Sequence, residues 1–132
     1  MCIEVFVQIL QSDGGVFGAS VMGASLALVD AGIQMRDLVC ASSAAVMKRE
    51  ERGDGGKKKG KVTYHAIADP TEDEILQSCG VVTIAMMPNW RECTVWDQFG
   101  KMSIEASSEA MELARDGCMT CHKFLKTCLL EG

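Results

Sequence analysis

Between residues 38 and 99, four apolar runs of strand length follow one another with no helix-length segment among them, and that succession constrains the fold more than anything else in the chain. Leu38 to Met47, Val62 to Ala68, Gly80 to Met87 and Glu92 to Phe99 are rich in apolar and β-branched residues, so each reads as a strand. The last two flank Pro88-Asn89-Trp90-Arg91, a tight connection that predicts antiparallel pairing. A further strand is expected at the start, where Ile3, Val5, Val7 and Ile9 alternate with Glu4, Phe6, Gln8 and Leu10. Strands that come in runs, rather than alternating with helices, point to an α+β domain with helices packed on a mixed sheet.

Two helical segments complete the order β-α-β-β-β-β-α. Val16 to Ala31 carries apolar and small residues and stops at Gly32, a good left-handed terminator. Its Gly18, Ala19, Gly23 and Ala24 give a thin profile, so it is expected to be buried close against the sheet. After Ser103, an N-cap with Glu105 in the first turn, the residues Ile104, Met111, Ala114, Cys118, Cys121, Leu125 and Cys128 recur at helical spacing and predict a long amphipathic closing helix. A chain of 132 residues fits a single domain over 1–132, with residues 48–61 as a basic, flexible insertion between strands.

Although 48% of the residues are hydrophobic, Gly, Ser and charged residues break the apolar stretches before the ~20 residues needed to cross a bilayer, so no membrane partner is expected. Met1 to Leu10 lacks the basic start and cleavage site of a secretory signal. The seven cysteines are odd in number and fall mostly in apolar segments, which fits a reducing cell interior better than a disulfide framework. Net charge is −5, yet Lys48 to Lys61 holds seven basic residues against three acidic, and the remainder six against fifteen. Most of the surface therefore repels nucleic acid, and direct RNA contact would centre on Lys57, Lys58, Lys59 and Lys61, although no aromatic residue interleaves them for base stacking.

Three patterns carry possible chemistry. Asp13-Gly14-Gly15-Val16-Phe17-Gly18, between a strand and a helix, is placed like a phosphate-binding turn but matches neither the dinucleotide fingerprint nor the P-loop; a tight turn that lets the helix approach the sheet is the better reading. Cys118-Met119-Thr120-Cys121-His122 has the spacing of c-type haem attachment. Its two cysteines lie on the apolar stripe of the last helix, where thiols are ordinary core residues. A zinc site that adds Cys128 would draw all its ligands from one helix, which poorly surrounds a tetrahedral ion. Neither a metal nor any other cofactor is expected. Asp69, Glu72, Asp73 and Glu74 could hold Mg²⁺ or supply a general acid, but read more simply as a solvated acidic turn.

Ile3 to Gly15, followed by Ala24-Ser25-Leu26-Ala27-Leu28-Val29-Asp30-Ala31-Gly32-Ile33, Met35-Arg36-Asp37 and Val39-Cys40-Ala41-Ser42-Ser43, resembles the RNase PH family, and within it the ring subunits of the eukaryotic exosome. Beyond residue 47 the likeness rests on Ala68-Asp69-Pro70-Thr71 with Glu74, Val81 to Met87 and Gly100-Lys101-Met102-Ser103. The resemblance implies α+β units that close into rings, and in active members phosphate-dependent cleavage of RNA from the 3′ end. Family subunits are about twice this long, so the chain would be the C-terminal portion, either a truncated product or a gene model that starts late. It also implies that Phe17 occupies the place of an arginine that holds phosphate or RNA, that Asp69 matches one catalytic acid, and that Ile75 replaces the second. Without a guanidinium and one acid, Asp69 is at best vestigial, and the expected role is a non-catalytic ring subunit. Its expected partners are other RNase PH-type ring subunits and cap proteins, with RNA met indirectly, in the nucleus, including the nucleolus, and the cytoplasm. The alternatives are a phosphate-dependent 3′-to-5′ exoribonuclease and a small RNA-binding adaptor acting through the lysines.

Overall fold

The computed structural model describes residues 1–51 and 60–131. Small residues at every fourth position decide how its longest helix packs. Ala106, Ala110, Ala114, Cys118 and His122, followed by Leu125, form the buried seam of α3 (Ile104–Glu131). A seam of alanines lets a helix backbone lie close on a sheet. The strands are β1 (Cys40–Glu50), β2 (Val62–Ala68), β3 (Gly80–Met87) and β4 (Glu92–Gly100), ordered β2-β1-β3-β4. On the central pair, alternate residues Cys40, Ala44, Val46, Val82, Ile84 and Met86 join the α3 seam in one core.

Every strand pairing is antiparallel, with Ala44 opposite Ala68 and Val82, and Ile84 opposite Trp96. The expected α+β class holds, but the mixed sheet is corrected to an antiparallel one among the described residues. β2 and β3 both lie antiparallel to β1, so the link between them must cross β1. A short helix that the sequence reading did not anticipate, α2 (Glu72–Gln77), forms in that link and contacts β1. At the start of the chain, residues 1–9 form no strand. A period-two pattern becomes a strand only beside a ladder partner, and the described residues supply none.

The first helix, α1 (Val16–Asp30), matches its expected span to within a residue. It is half-exposed rather than buried, with only Gly18 and Ser25 fully covered. Gly18 makes the close approach, since a Cβ there would lie 3.4 Å from the Ala41 carbonyl oxygen. The Ser25 hydroxyl ties α1 to the chain before β1 through the Val39 backbone. On α3, Ser103 acts as the expected N-cap, its Oγ accepting from Ala106 N at 3.1 Å. Ile104 and Cys128, expected on the buried stripe, are exposed. Among the described residues, no helix is long and apolar enough to cross a membrane.

Candidate functional site

Gly14 and Gly15 turn the chain into α1 with φ of 80° and 64°, the left-handed region that glycine enters without a Cβ penalty. No side chain caps the N-terminus of α1, and its first turn carries no acidic residue. The turn is seated on the segment after β2. The Asp13 carboxylate accepts from Glu72 N at 3.3 Å, and a Cβ on Gly14 would lie only 2.4 Å from the Pro70 carbonyl oxygen. Asp69, itself at φ 49°, donates its N–H to Ser43 O at 3.0 Å. A Cβ on Gly15 would stand 3.3 Å from Asp69 Oδ1. Asp13, Gly14, Gly15 and Asp69, far apart in sequence, thus meet at one place.

The acidic cluster separates into distinct roles. Thr71 and Glu74 close a capping box on α2, with Thr71 N donating to Glu74 Oε2 at 2.8 Å and Glu74 N to Thr71 Oγ1 at 3.3 Å. Glu72 and Asp73 lie in the first turn of α2, where negative charge complements the helix dipole. Glu72, Asp73 and Glu74 thus start a helix rather than a turn, while Asp69, Glu72 and Asp73 are exposed as the solvated reading expects. Among the described residues no three His, Cys, Asp or Glu side chains are placed to hold a metal ion.

Beneath the glycine turn opens a cleft of about 640 Å³, lined among others by Gly15, Ser42, Ser43, Asp69, Asp116 and Cys121. Among the described residues it is lined by two carboxylates and by no lysine, arginine or histidine. Phe17, at the start of α1, is 47% exposed and stands outside the lining. Gly117 lets α3 close the cleft floor, since a Cβ there would fall 2.3 Å from Ser42 Oγ. Neither Asp116 nor the serines were singled out from the sequence as site residues. The serines carried a signal only inside the resembling run Val39 to Ser43, and Asp116 had none, lying on the exposed side of a helix.

Cysteines underlie this cleft. Burial pushes the Cys40 thiol up to about 11, with nearby Cys121 and Asp37 adding to it, and pushes Cys118 up to about 12 with Cys40 next in effect. Cys121 is raised as well, first by burial and then by Asp69. Thiols held protonated are poor nucleophiles and poor metal ligands. The Cys118 thiol donates to Ile84 O at 3.5 Å inside the core, and His122 is buried beside it on α3. The haem-like spacing therefore falls on core packing.

Of the lysines, Lys57, Lys58 and Lys59 lie outside the described residues. Lys61 is exposed, and its carbonyl accepts from Glu51 N at 3.1 Å. That bond closes the end of the β1–β2 ladder remote from Ser43 and Asp69. Eight residues of β1 separate the two ends, on the order of 26 Å at about 3.3 Å per residue.

Residues 1–34 match the 3′ exoribonuclease family, domain 1. The exosome complex component Rrp41 of Methanopyrus kandleri is 36% identical over 98% of the chain and 48% of that protein. Its counterpart in Pyrococcus furiosus is 33% identical over 98% of the chain and 46% of its own length. The crystal structure of rice Rrp46 superposes with a TM-score of 0.70 at 23% identity, covering 92% of this chain and 50% of that one. The chain spans about half the length of the curated relatives it matches.

Proposed function

We propose that this chain, similar to exosome Rrp41 proteins over nearly its whole length, is a structural, non-catalytic subunit of an RNA exosome ring that supports 3′-to-5′ RNA processing. One observation carries the reading: the cleft beside Asp69 presents the carboxylates of Asp69 and Asp116 and, among the described residues, no cationic side chain. Phosphorolysis needs an inorganic phosphate held beside the scissile bond, and an anion entering this cleft meets two like charges. Phe17, in the first turn of α1, stands at the position where the family resemblance expects a guanidinium, and Ile75 sits on α2 outside the cleft. The Rrp41 relatives are named as exosome complex components, which supports assembly with other exosome subunits; RNase PH-type neighbours and cap proteins are the partners proposed. A nuclear, nucleolar and cytoplasmic location follows from the same reading, and imaging of the tagged chain tests it.

A phosphate-dependent exoribonuclease is the second reading, favoured by the uncapped N-terminus of α1 behind two left-handed glycines, where backbone N–H groups attract anions. The discriminating experiment supplies RNA and inorganic phosphate to the purified chain and to its complex and measures nucleoside diphosphates. The proposed role gives none attributable to this chain, with Asp69→Asn leaving the rate unchanged. Phosphate-dependent release that Asp69→Asn abolishes would establish the enzyme instead.

A further inference from the structure

The tip of the β3–β4 hairpin carries an unexplained backbone choice. Arg91 stands at φ 54°, a left-handed position that Gly or Asn fills at lower cost, after a turn closed by Arg91 N donating to Pro88 O at 3.3 Å. A side chain kept at such a position points to use. Arg91 and Arg115 both reach an open cleft of about 390 Å³ between the hairpin and α3, and among the described residues neither has an ion-pair partner within 4.0 Å. Trp90, next to Arg91, is 52% exposed and held in place: its indole N–H donates to Arg36 O at 3.3 Å, and the Arg36 guanidinium lies 4.4 Å from the ring centroid. The Asp37 carboxylate fixes the same tip by accepting from Asn89 N at 2.8 Å and Asn89 Nδ2 at 2.9 Å.

We propose that this hairpin tip and the adjoining turn of α3 form a contact for single-stranded RNA, with Arg91 and Arg115 taking phosphates and Trp90 stacking on a base. Planar guanidiniums match phosphate oxygens, and a rigid half-exposed indole offers the sequence-tolerant platform on which single strands stack. Glu112 and Asp116 line the same cleft. Their carboxylates oppose a phosphate as they would an acidic peptide, but they also accept from ribose hydroxyls and base amino groups, donors that acidic side chains lack, and this favours RNA as the occupant. The inference deepens the proposed exosome role and rests on it for the choice of RNA. It places RNA at a surface unrelated to the lysine loop.

The test uses the full chain carrying Trp96→Phe, which leaves Trp90 as the single tryptophan. Single-stranded oligoadenylate is titrated while tryptophan fluorescence is read. The expected result is quenching, with binding weakened roughly fivefold or more by Arg115→Ala and by Arg91→Gly. In the double variant the log–log salt slope falls by about 1.4, at ~0.7 per phosphate contact on a single strand. Arg91→Gly relieves the left-handed strain, so it raises the melting temperature while it weakens binding, and loss of fold cannot imitate that pair of changes. Absence of quenching, affinities within about twofold of the parent for both arginine variants, or equal quenching by oligoglutamate at the same concentration would each overturn the inference. Failure of the ring reading shows separately, as absence of co-purifying ring subunits.

Discussion

Replacing Gly14 with alanine tests whether the glycine turn is seated on the Asp69 segment as described. At φ 80° an L-residue costs about 1–2 kcal/mol, and the new Cβ would lie 2.4 Å from the Pro70 carbonyl oxygen and 3.1 Å from the Thr71 carbonyl carbon. Those neighbours are backbone, and Pro70 is itself buried, so neither can swing aside. Overpacking of this kind adds about 1–3 kcal/mol, for a total of roughly 3 kcal/mol. Gly15→Ala is the internal control: its φ is 64°, so the conformational cost is similar, but its Cβ would meet only the Asp69 carboxylate oxygen, at 3.3 Å. Urea unfolding of the full chain followed by circular dichroism reads the difference. With a slope of about 1.5 kcal/mol per molar, Gly14→Ala lowers the midpoint by about 2 M and Gly15→Ala by about 1 M. Equal midpoints for the two variants, or a larger loss for Gly15→Ala, would refute the packing of the turn on Pro70.

Gly100→Ala is expected to cost roughly 3 kcal/mol or more, because φ is 98° and a Cβ would lie 2.3 Å from Cys79 O and 2.5 Å from Gly80 Cα; a urea midpoint near that of the parent would contradict the tight β3–β4 end. Asp37→Ala removes an acceptor of three hydrogen bonds, from Leu38 N, Asn89 N and Asn89 Nδ2, and should cost about 2 kcal/mol at this partly solvated position, read by thermal unfolding. Cys40 and Cys118 make alkaline stability diagnostic. Their folded values, about 11 and about 12, lie above the ordinary 9.0, so the unfolded chain releases these protons first. Their contribution is fully present below about pH 9 and is lost above it by about 1.4 kcal/mol per pH unit for each thiol, until the pH passes the folded values; a flat profile from pH 9 to 10.5 would show that the thiols are accessible. At pH 8 iodoacetamide should label exposed Cys2, Cys93 and Cys128 well before Cys40 and Cys118, as mass mapping would report.

Local pattern carried the sheet. Val62–Ala68 and Gly80–Met87 form the strands expected from their composition, and Val16–Asp30 the expected helix, because each segment's own periodicity and punctuation agree with its surroundings. The departures have physical causes. The α3 seam runs through Ala106 and Ala110, residues too small to stand out in a hydrophobic pattern, so Ile104 and Cys128 drew attention instead. Thr71 and Glu74 spell a capping box three residues apart, yet the intervening acids made the stretch look like a solvated turn rather than the start of α2. Ile3 to Ile9 alternates cleanly, but alternation records a face and supplies no partner strand. At the candidate site, the glycine turn and Asp69 were legible one at a time. Their meeting was not, since it depends on β2 ending beside Ser43 and on Asp13 reaching Glu72. Asp116 enters the cleft only because Gly117 brings α3 against Ser42, a tertiary fact that no spacing encodes.

The proposed role, service to an exosome ring by assembly rather than by chemistry, is tested most directly by affinity purification of the tagged chain from the cells that express it, with mass spectrometry of what accompanies it. The account predicts recovery of other RNase PH-type ring subunits in stoichiometric amounts, unaffected by Asp69→Asn; a chain that purifies alone would contradict it.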